Sequence, residues 1–158
     1  MKKWIVGSSV TVVAGLIVLY FATAPSDEEL IDQAIKDSVI ASKEGKPGGV
    51  LDHLSRSLTF NGMPVSDRSE IAKYVRLARP DVVFGPYTPV VEGDSATVRA
   101  DVAVKIQFQS LQMDQTVRGV EVELARETGF RWVVFPASKW RIASVSAPEM
   151  GTIGTEFP

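Results

Sequence analysis

Four side chains in this sequence, His53, Tyr74, Asp81 and Tyr87, could contribute polar groups to a reactive or ligand-binding site. The imidazole of His53 could act as a general base, because its ordinary pKa lies near neutrality. Tyr74 and Tyr87 could donate hydroxyl hydrogen bonds at the mouth of a pocket, with the carboxylate of Asp81 beside them. No partner for His53 is recognisable, and a tyrosine in an apolar stripe more often belongs to the core. An enzyme is therefore not the favoured interpretation.

The composition excludes most other kinds of site. The chain has no cysteine and one histidine, so thiol nucleophiles, disulfides and zinc sites with several Cys or His ligands are excluded. With 17 Lys and Arg against 19 Asp and Glu, the sequence also lacks the positive charge of a nucleic-acid-binding protein. We therefore predict no metal, no cofactor and no nucleic-acid partner.

The N-terminal segment from Trp4 to Ala24 contains no charged residue and is long enough to cross a bilayer. As a helix it spans roughly 30 Å of hydrocarbon. A cleaved signal peptide is the alternative, since Ala22-Thr23-Ala24 is similar to a cleavage site. The apolar run is longer than a typical signal core, and Pro25 would follow the cut. We expect an uncleaved anchor within residues 1–25.

The charges on either side of this segment predict its orientation. Lys2 and Lys3 precede it, while Asp27, Glu28 and Glu29 follow it. By the positive-inside rule the N-terminus is cytoplasmic and the remainder is extracytoplasmic, which is the periplasmic side in a bacterium. The sequence thus predicts a single-pass membrane protein that is inserted in the lipid bilayer.

Small residues recur at every fourth position of the apolar segment, at Gly7, Thr11 and Gly15. Such a face lets two transmembrane helices approach closely. The segment is thus either a plain anchor or a helix that packs against a helix of a partner.

The region after the anchor begins with helix signals. Ser26 and Glu29 are spaced as a capping box, and helical periodicity continues to about Lys43. The run from Gly45 to Gly49 ends this helix. Its spacing does not match a phosphate-binding P-loop, so it is interpreted as a helix stop.

A short helix, a short strand and a third helix are expected next. The short helix has Val50, Leu51 and Leu54 as its apolar residues. The strand covers Leu58 to Phe60, and Asn61-Gly62 forms a turn. A second capping box at Asp67 to Glu70 starts the third helix, and Pro80 stops it.

Beyond Pro80 the apolar period changes from that of a helix to that of a strand. From residue 96 to 108 every even position is apolar and most odd positions are polar, which predicts a long antiparallel strand with one buried face. Further strands are expected at Val82 to Phe84, Tyr87 to Val91, Thr116 to Glu127, Arg131 to Phe135, and Lys139 to Val145. Helices followed by antiparallel strands indicate an α+β fold.

This order of elements, closing with the strand Lys139 to Val145, resembles the nuclear transport factor 2-like (NTF2-like) superfamily, which includes ketosteroid isomerases and polyketide cyclases. The resemblance covers residues 26–147 and implies a cone of three helices and a curved antiparallel sheet, with residues 148–158 as a loose tail. Isomerases of this superfamily carry a carboxylate base on the early strand. Here that strand reads Leu58-Thr59-Phe60-Asn61, and Asp101 falls on the polar face of a later strand.

We interpret the chain as a membrane-anchored extracytoplasmic interaction module, an accessory or assembly subunit of a larger membrane protein complex. Its transmembrane helix, its outer domain and its tail would supply the contact surfaces. One alternative is a small-molecule-binding or isomerase-like enzyme that uses the interior of the cone. Another is a different kind of extracytoplasmic domain, such as a pseudoenzyme or a homodimer built across the outer face of the sheet.

Overall fold

The computed structural model describes residues 24–108, 111–131 and 135–149. The proposed transmembrane segment, with its face of Gly7, Thr11 and Gly15, and most of the tail lie outside these residues. Within the described ranges no helix has the length and apolar character needed to cross a bilayer.

The described residues form three helices and seven strands. The helices are α1 (Asp27–Lys43), α2 (Pro47–Asp52) and α3 (Arg68–Ala78). The strands are β1 (Leu54–Phe60), β2 (Met63–Pro64), β3 (Asp81–Phe84), β4 (Val90–Glu92), β5 (Ser95–Phe108), β6 (Leu111–Arg131) and β7 (Phe135–Ser146). The α+β class and the three helices predicted from the sequence are thereby confirmed.

All seven strands belong to one sheet with the order β2-β1-β7-β6-β5-β3, and β4 pairs with β5 outside this path. The prediction of a curved antiparallel sheet is wrong at one place, since β1 and β7 run parallel. Parallel neighbours require a long connection. Here that connection contains α3 and all the intervening strands, and no local periodicity reveals it.

The observed N-terminal caps of α1 and α3 lie at the residues predicted from the sequence. Ser26 and Glu29 form the predicted capping box of α1, with hydrogen bonds of 3.0 and 3.2 Å between side chain and backbone in both directions. At α3 only the forward half is present, because Asp67 accepts from the backbone N–H groups of Ser69 and Glu70.

Several boundaries differ from the expected ones. β1 begins at Leu54 and not at Leu58, and β4 is shorter than the predicted strand Tyr87 to Val91. The expected strand Arg131 to Phe135 is divided, because Arg131 ends β6 and Phe135 begins β7, which continues through Pro136 to Ser146. His53 terminates α2 as its C-cap and does not lie inside the helix.

The core lies between α1 and one face of the sheet. Ile31 and Ile35 of α1 are buried against a layer that includes Val98, Leu124 and Trp140. The even-numbered residues of β5 are buried from Ala96 to Val102, as the alternation predicts. Towards the end of the strand the same face becomes exposed, so a surface groove begins where the core ends.

Candidate functional site

An apolar groove of about 720 Å³ lies between α3 and the far half of the β5–β6 hairpin. Alternation places the side chains of β5 and β6 that line it on the same face as the core residues of these strands. We call this groove the α3 groove. Its main apolar lining consists of Tyr74, Leu77, Ile106, Phe108, Met113 and Val117.

The lining of the α3 groove is unusually exposed for large apolar side chains. Tyr74 is 50%, Leu77 53%, Phe108 43% and Met113 49% exposed. Single exposed apolar residues are common, but contiguous ones in a concavity are typical of a binding surface. The groove is therefore the strongest candidate for a functional site in the described part of the chain.

Polar groups are few in the α3 groove. Glu70 and Lys73 come from α3, and Gln115 comes from β6. Burial raises the pKa of the Tyr74 hydroxyl above its ordinary value of 10.0, so this group remains a protonated donor at neutral pH. Glu70, near the start of α3, is the single carboxylate among the lining residues, and the two strands contribute none.

His53 lies away from the groove, and its backbone helps to join α2 to the sheet. Its carbonyl oxygen accepts a hydrogen bond of 2.8 Å from the N–H of Ile142, which joins the end of α2 to β7. Nδ1 of its ring is buried and has no partner among the described residues. Burial, followed by the positive charge of Lys139, lowers the pKa of His53 below 6.5. The ring is thus a neutral, half-buried group.

Asp81 and Tyr87 also lie outside the groove, and both fasten α1 to neighbouring segments. Asp81 forms an ion pair of 2.8 Å with Lys43. The hydroxyl of Tyr87 donates a hydrogen bond of 2.7 Å to Asp32. Both pairs attach α1 to chain segments that follow α3. Of the four candidates from the sequence, Tyr74 alone lines the groove.

The sequence analysis missed Leu77, Met113 and Phe108 as surface residues. One signal could have found part of the groove. The apolar alternation predicted for the long strand continues to Phe108, whereas the third helix is stopped by Pro80 and is too short to cover all of that apolar face. Met113 has no comparable signal, because it lies in front of the predicted start of its strand.

The opposite face of the sheet is charged. Arg99 pairs with Glu121, and Lys105 lies 3.8 Å from Asp114. Asp101, predicted as a solvated carboxylate of the polar face, is exposed there and accepts a 2.9 Å hydrogen bond from the N–H of Gly119. Stable homodimer interfaces are usually more apolar than this surface.

The described residues contain no cluster of three His, Asp or Glu side chains that could hold a metal ion.

No family model and no curated protein matches this chain. Solved structures do match it. An NTF2-like protein of unknown function in nutrient uptake from Rhodospirillum rubrum is 15% identical, with 73% of this chain and 94% of that chain covered and a TM-score of 0.59. An NTF2-like protein from Cytophaga hutchinsonii is 18% identical over 77% of this chain and 97% of that chain, with a TM-score of 0.59.

A third structure, the CaMKII hub of S. rosetta, is 9% identical over 78% of this chain and 97% of that chain, again with a TM-score of 0.59. Identities this low establish the fold and nothing further. The domain therefore has the NTF2-like fold expected from the order of its elements.

Proposed function

We propose that this chain is a membrane-anchored extracytoplasmic interaction module, an accessory or assembly subunit of a larger membrane protein complex. Its NTF2-like domain binds an apolar segment of the partner in the α3 groove. The observation that carries this proposal is the contiguous, half-exposed apolar lining contributed by Tyr74, Leu77, Phe108 and Met113.

The sequence before the domain supports attachment to a membrane. Residues 4–24 carry no charge, and Lys2 and Lys3 favour a cytoplasmic N-terminus. Helix α1 begins at Asp27, so the domain follows the anchor almost directly. A short connection raises the effective concentration of the groove for a partner in the same membrane. Gly7, Thr11 and Gly15 would give the anchor a face for packing against a helix of that partner.

The composition of the groove favours binding over catalysis. Proton abstraction needs a base within hydrogen-bonding reach of the substrate. His53 and Asp81 lie elsewhere, Glu70 near the start of α3 is the one carboxylate among the lining residues, and the two strands contribute mainly aliphatic residues such as Val104, Ile106 and Val117. An apolar surface of this kind matches an apolar side-chain row of a partner, in which a few anchor residues supply most of the binding energy.

The decisive experiment compares the same substitution at two aliphatic side chains that are equally exposed to solvent. Leu77 in the groove is 53% exposed and Ile40 on α1 is 54% exposed. Full-length protein is extracted from its own membrane in mild detergent, and the co-purifying proteins are quantified. Leu77→Asp should lower the specific partner by about tenfold or more, because a charge is buried in the contact, whereas Ile40→Asp should leave it unchanged.

Equal recovery of every co-purifying protein with Leu77→Asp, at unchanged thermal stability, would contradict a role of the groove in partner binding. The anchor has its own test. Intact mass of the purified protein should show the whole chain of 17.2 kDa. A mature protein that begins at Pro25 would contradict the anchor.

A small-molecule-binding or isomerase-like enzyme is the second candidate function. Its supporting observation is the hydroxyl of Tyr74, a protonated donor that lines a cavity of about 720 Å³. This volume lies within the usual range for ligand pockets. A homodimer across the charged outer face is a third arrangement, to be tested by sedimentation of the full-length protein at several concentrations.

A further inference from the structure

We infer that two copies of this chain associate through β6, by antiparallel pairing of residues 111–117 with the same residues of the second copy. The pairing joins the two sheets into one and places two α3 grooves on the same face of it. This inference goes beyond the proposed function, because it concerns how copies of the domain associate and does not depend on what the groove binds.

Within the described part of the chain, residues 111–117 of β6 have a strand partner on one side only. They pair with β5, whereas β7 joins β6 only from Glu121 onwards. The carboxylate of Glu149 accepts a hydrogen bond of 3.1 Å from the N–H of Arg118, which marks the end of the open stretch. We call residues 111–117 the β6 edge. Its outward backbone groups are available to another strand.

The β6 edge lacks the features that usually protect strand edges from pairing. Protected edges are very short, carry proline or lysine, or are covered by another element. Other strands of the described sheet follow this rule, since β2 has two residues, one of them Pro64. β3 has four residues, and an ion pair between Asp81 and Lys43 attaches it to α1. The β6 edge has seven residues without proline or lysine, so it is a template for another strand.

The backbone of β6 favours one register between the two copies. The N–H of Arg118 points away from β5, because it reaches Glu149 beyond the end of β7. Alternation along the strand directs the backbone groups of Thr116 and Asp114 outward as well. A two-fold axis at Gln115 pairs Asp114 with Thr116 of the second copy through two backbone hydrogen bonds, and the symmetry-related pair forms two more.

The neighbouring registers are less favourable. An axis at Asp114 sets the two carboxylates directly opposite each other, which destabilises a strand pair. An axis at Thr116 pairs Asp114 with Arg118 of the second copy, and this pair needs the N–H that Glu149 already binds. The axis at Gln115 avoids both conflicts.

With the axis at Gln115, the side chains of the two copies match on both faces of the sheet. On the groove face, Met113, which is 49% exposed, lies opposite Val117 of the second copy. On the charged face, Arg118 is a diagonal neighbour of Asp114 of the second copy and can reach it. Lys105 of the same chain lies 3.8 Å from Asp114. These positive charges offset the repulsion between the two Asp114 carboxylates, which are diagonal neighbours as well.

The symmetry of this pairing is compatible with two membrane-anchored copies. The two-fold axis is perpendicular to the joined sheet, so both copies turn the same face to the same side. Ile31 and Ile35 of α1 pack on that face. Both α1 helices therefore lie on one side of the sheet, and the two proposed anchors can enter one membrane. Confinement to a membrane raises the effective concentration of each copy for the other.

Disulfide formation tests the register, because the chain has no cysteine of its own. Gln115→Cys is introduced in the full-length protein, which is purified in mild detergent and oxidised. In the inferred register the two Cα atoms lie about 4.5 Å apart, a distance that a disulfide can bridge. The covalent dimer should form in about tenfold higher yield than with Gln107→Cys, which lies on β5, one strand further from the axis. Equal yields overturn the inference.

Sedimentation of the full-length protein in the same detergent measures the association itself. Thr116→Pro removes an N–H that the pairing uses and that alternation directs away from β5. It should lower the association constant by about tenfold or more, because each copy loses a hydrogen bond. Thr116→Val retains this N–H and should associate as the wild type does. A folded Thr116→Pro protein with unchanged association overturns the inference.

A charge exchange keeps the association testable if the proline variant does not fold. Asp114→Arg and Arg118→Asp should each weaken association, because each places like charges at diagonal positions of the two copies. The double variant restores opposite charges there and should recover most of the association. Losses that simply add in the double variant overturn the inference.

The two proposals fail separately. If Gln115→Cys gives no more dimer than Gln107→Cys while Leu77→Asp still loses the partner, the inference is overturned and the proposed function stands. If the Gln115 disulfide forms but Leu77→Asp retains the partner, the dimer stands and the groove is not the partner site. A wild type that sediments as one chain, with another protein lost from Thr116→Pro, means that β6 pairs with that protein, and overturns the inference.

Discussion

The indole nitrogen of Trp140 donates a hydrogen bond of 3.2 Å to the carboxylate of Asp27, the first residue of α1. The second oxygen of the same carboxylate lies 2.6 Å from the guanidinium of Arg126, which stacks over the Trp140 ring. These contacts attach the start of α1 to strands β6 and β7. They lie where the proposed membrane anchor leads into the domain.

We predict that Asp27→Ala destabilises the domain by about 1–3 kcal/mol, because it leaves a buried indole N–H without an acceptor. The Trp140 ring is 1% exposed, whereas the Asp27 side chain is 37% exposed, so water can reach the space left by the carboxylate and we expect the lower end of this range. Asp27→Asn retains an acceptor oxygen and should lose less. Denaturant unfolding followed by tryptophan fluorescence measures both. Equal stability of the alanine variant and the wild type would show that this contact contributes nothing.

The single histidine predicts a pH dependence of stability. Burial and nearby positive charge lower the pKa of His53 in the folded state below 6.5, its value in the unfolded chain. The unfolded state therefore binds more protons as the pH falls below 6.5, and stability decreases with it. The free energy of unfolding should fall between about pH 7 and pH 5, and His53→Gln should flatten that part of the profile. A profile unchanged by this substitution would contradict a neutral, half-buried ring.

Much of the fold was predictable because it is encoded in neighbouring residues. The capping box of Ser26 and Glu29 and the alternation of β5 each depend on residues within one element. The parallel pairing of β1 with β7 was not predictable, and neither was the bond from Trp140 to Asp27 across 113 positions. Both depend on how elements that are distant in the sequence pack together, and the periodicity of apolar residues within one element carries no information about that packing.

The site was predictable only in part, for the same reason. Tyr74 was identified from its residue type, but its role depends on α3 leaving the end of β5 uncovered. His53, Asp81 and Tyr87 were grouped because they carry polar groups. The fold distributes them to different places, where their contacts are structural.

A glycine in the bulge of β6 gives a prediction about backbone conformation. Gly119 has φ of +63°, where the register between β5 and β6 shifts, and no atom lies within 4 Å of a Cβ added there. Gly119→Ala should therefore destabilise through backbone strain alone, by about 1 kcal/mol. Gly48→Ala is the control, since that position is equally open and helical without a positive φ, and it should not destabilise. Equal effects of the two substitutions in thermal unfolding would contradict a strained bulge.

Tyr74 separates the two candidate functions of the groove. In a partner-binding groove the ring provides apolar contact, so Tyr74→Phe should change partner recovery by less than about twofold, whereas Tyr74→Asp should abolish it. In an isomerase-like site the hydroxyl is the donor that stabilises developing negative charge, and its removal should cost about 100-fold in turnover. Burial holds the pKa of Tyr74 above 10.0, so the hydroxyl is protonated in both cases and its ionisation does not confuse the comparison. Loss of the partner with Tyr74→Phe at unchanged stability would show that the hydroxyl itself is recognised, and would favour a polar ligand over an apolar segment.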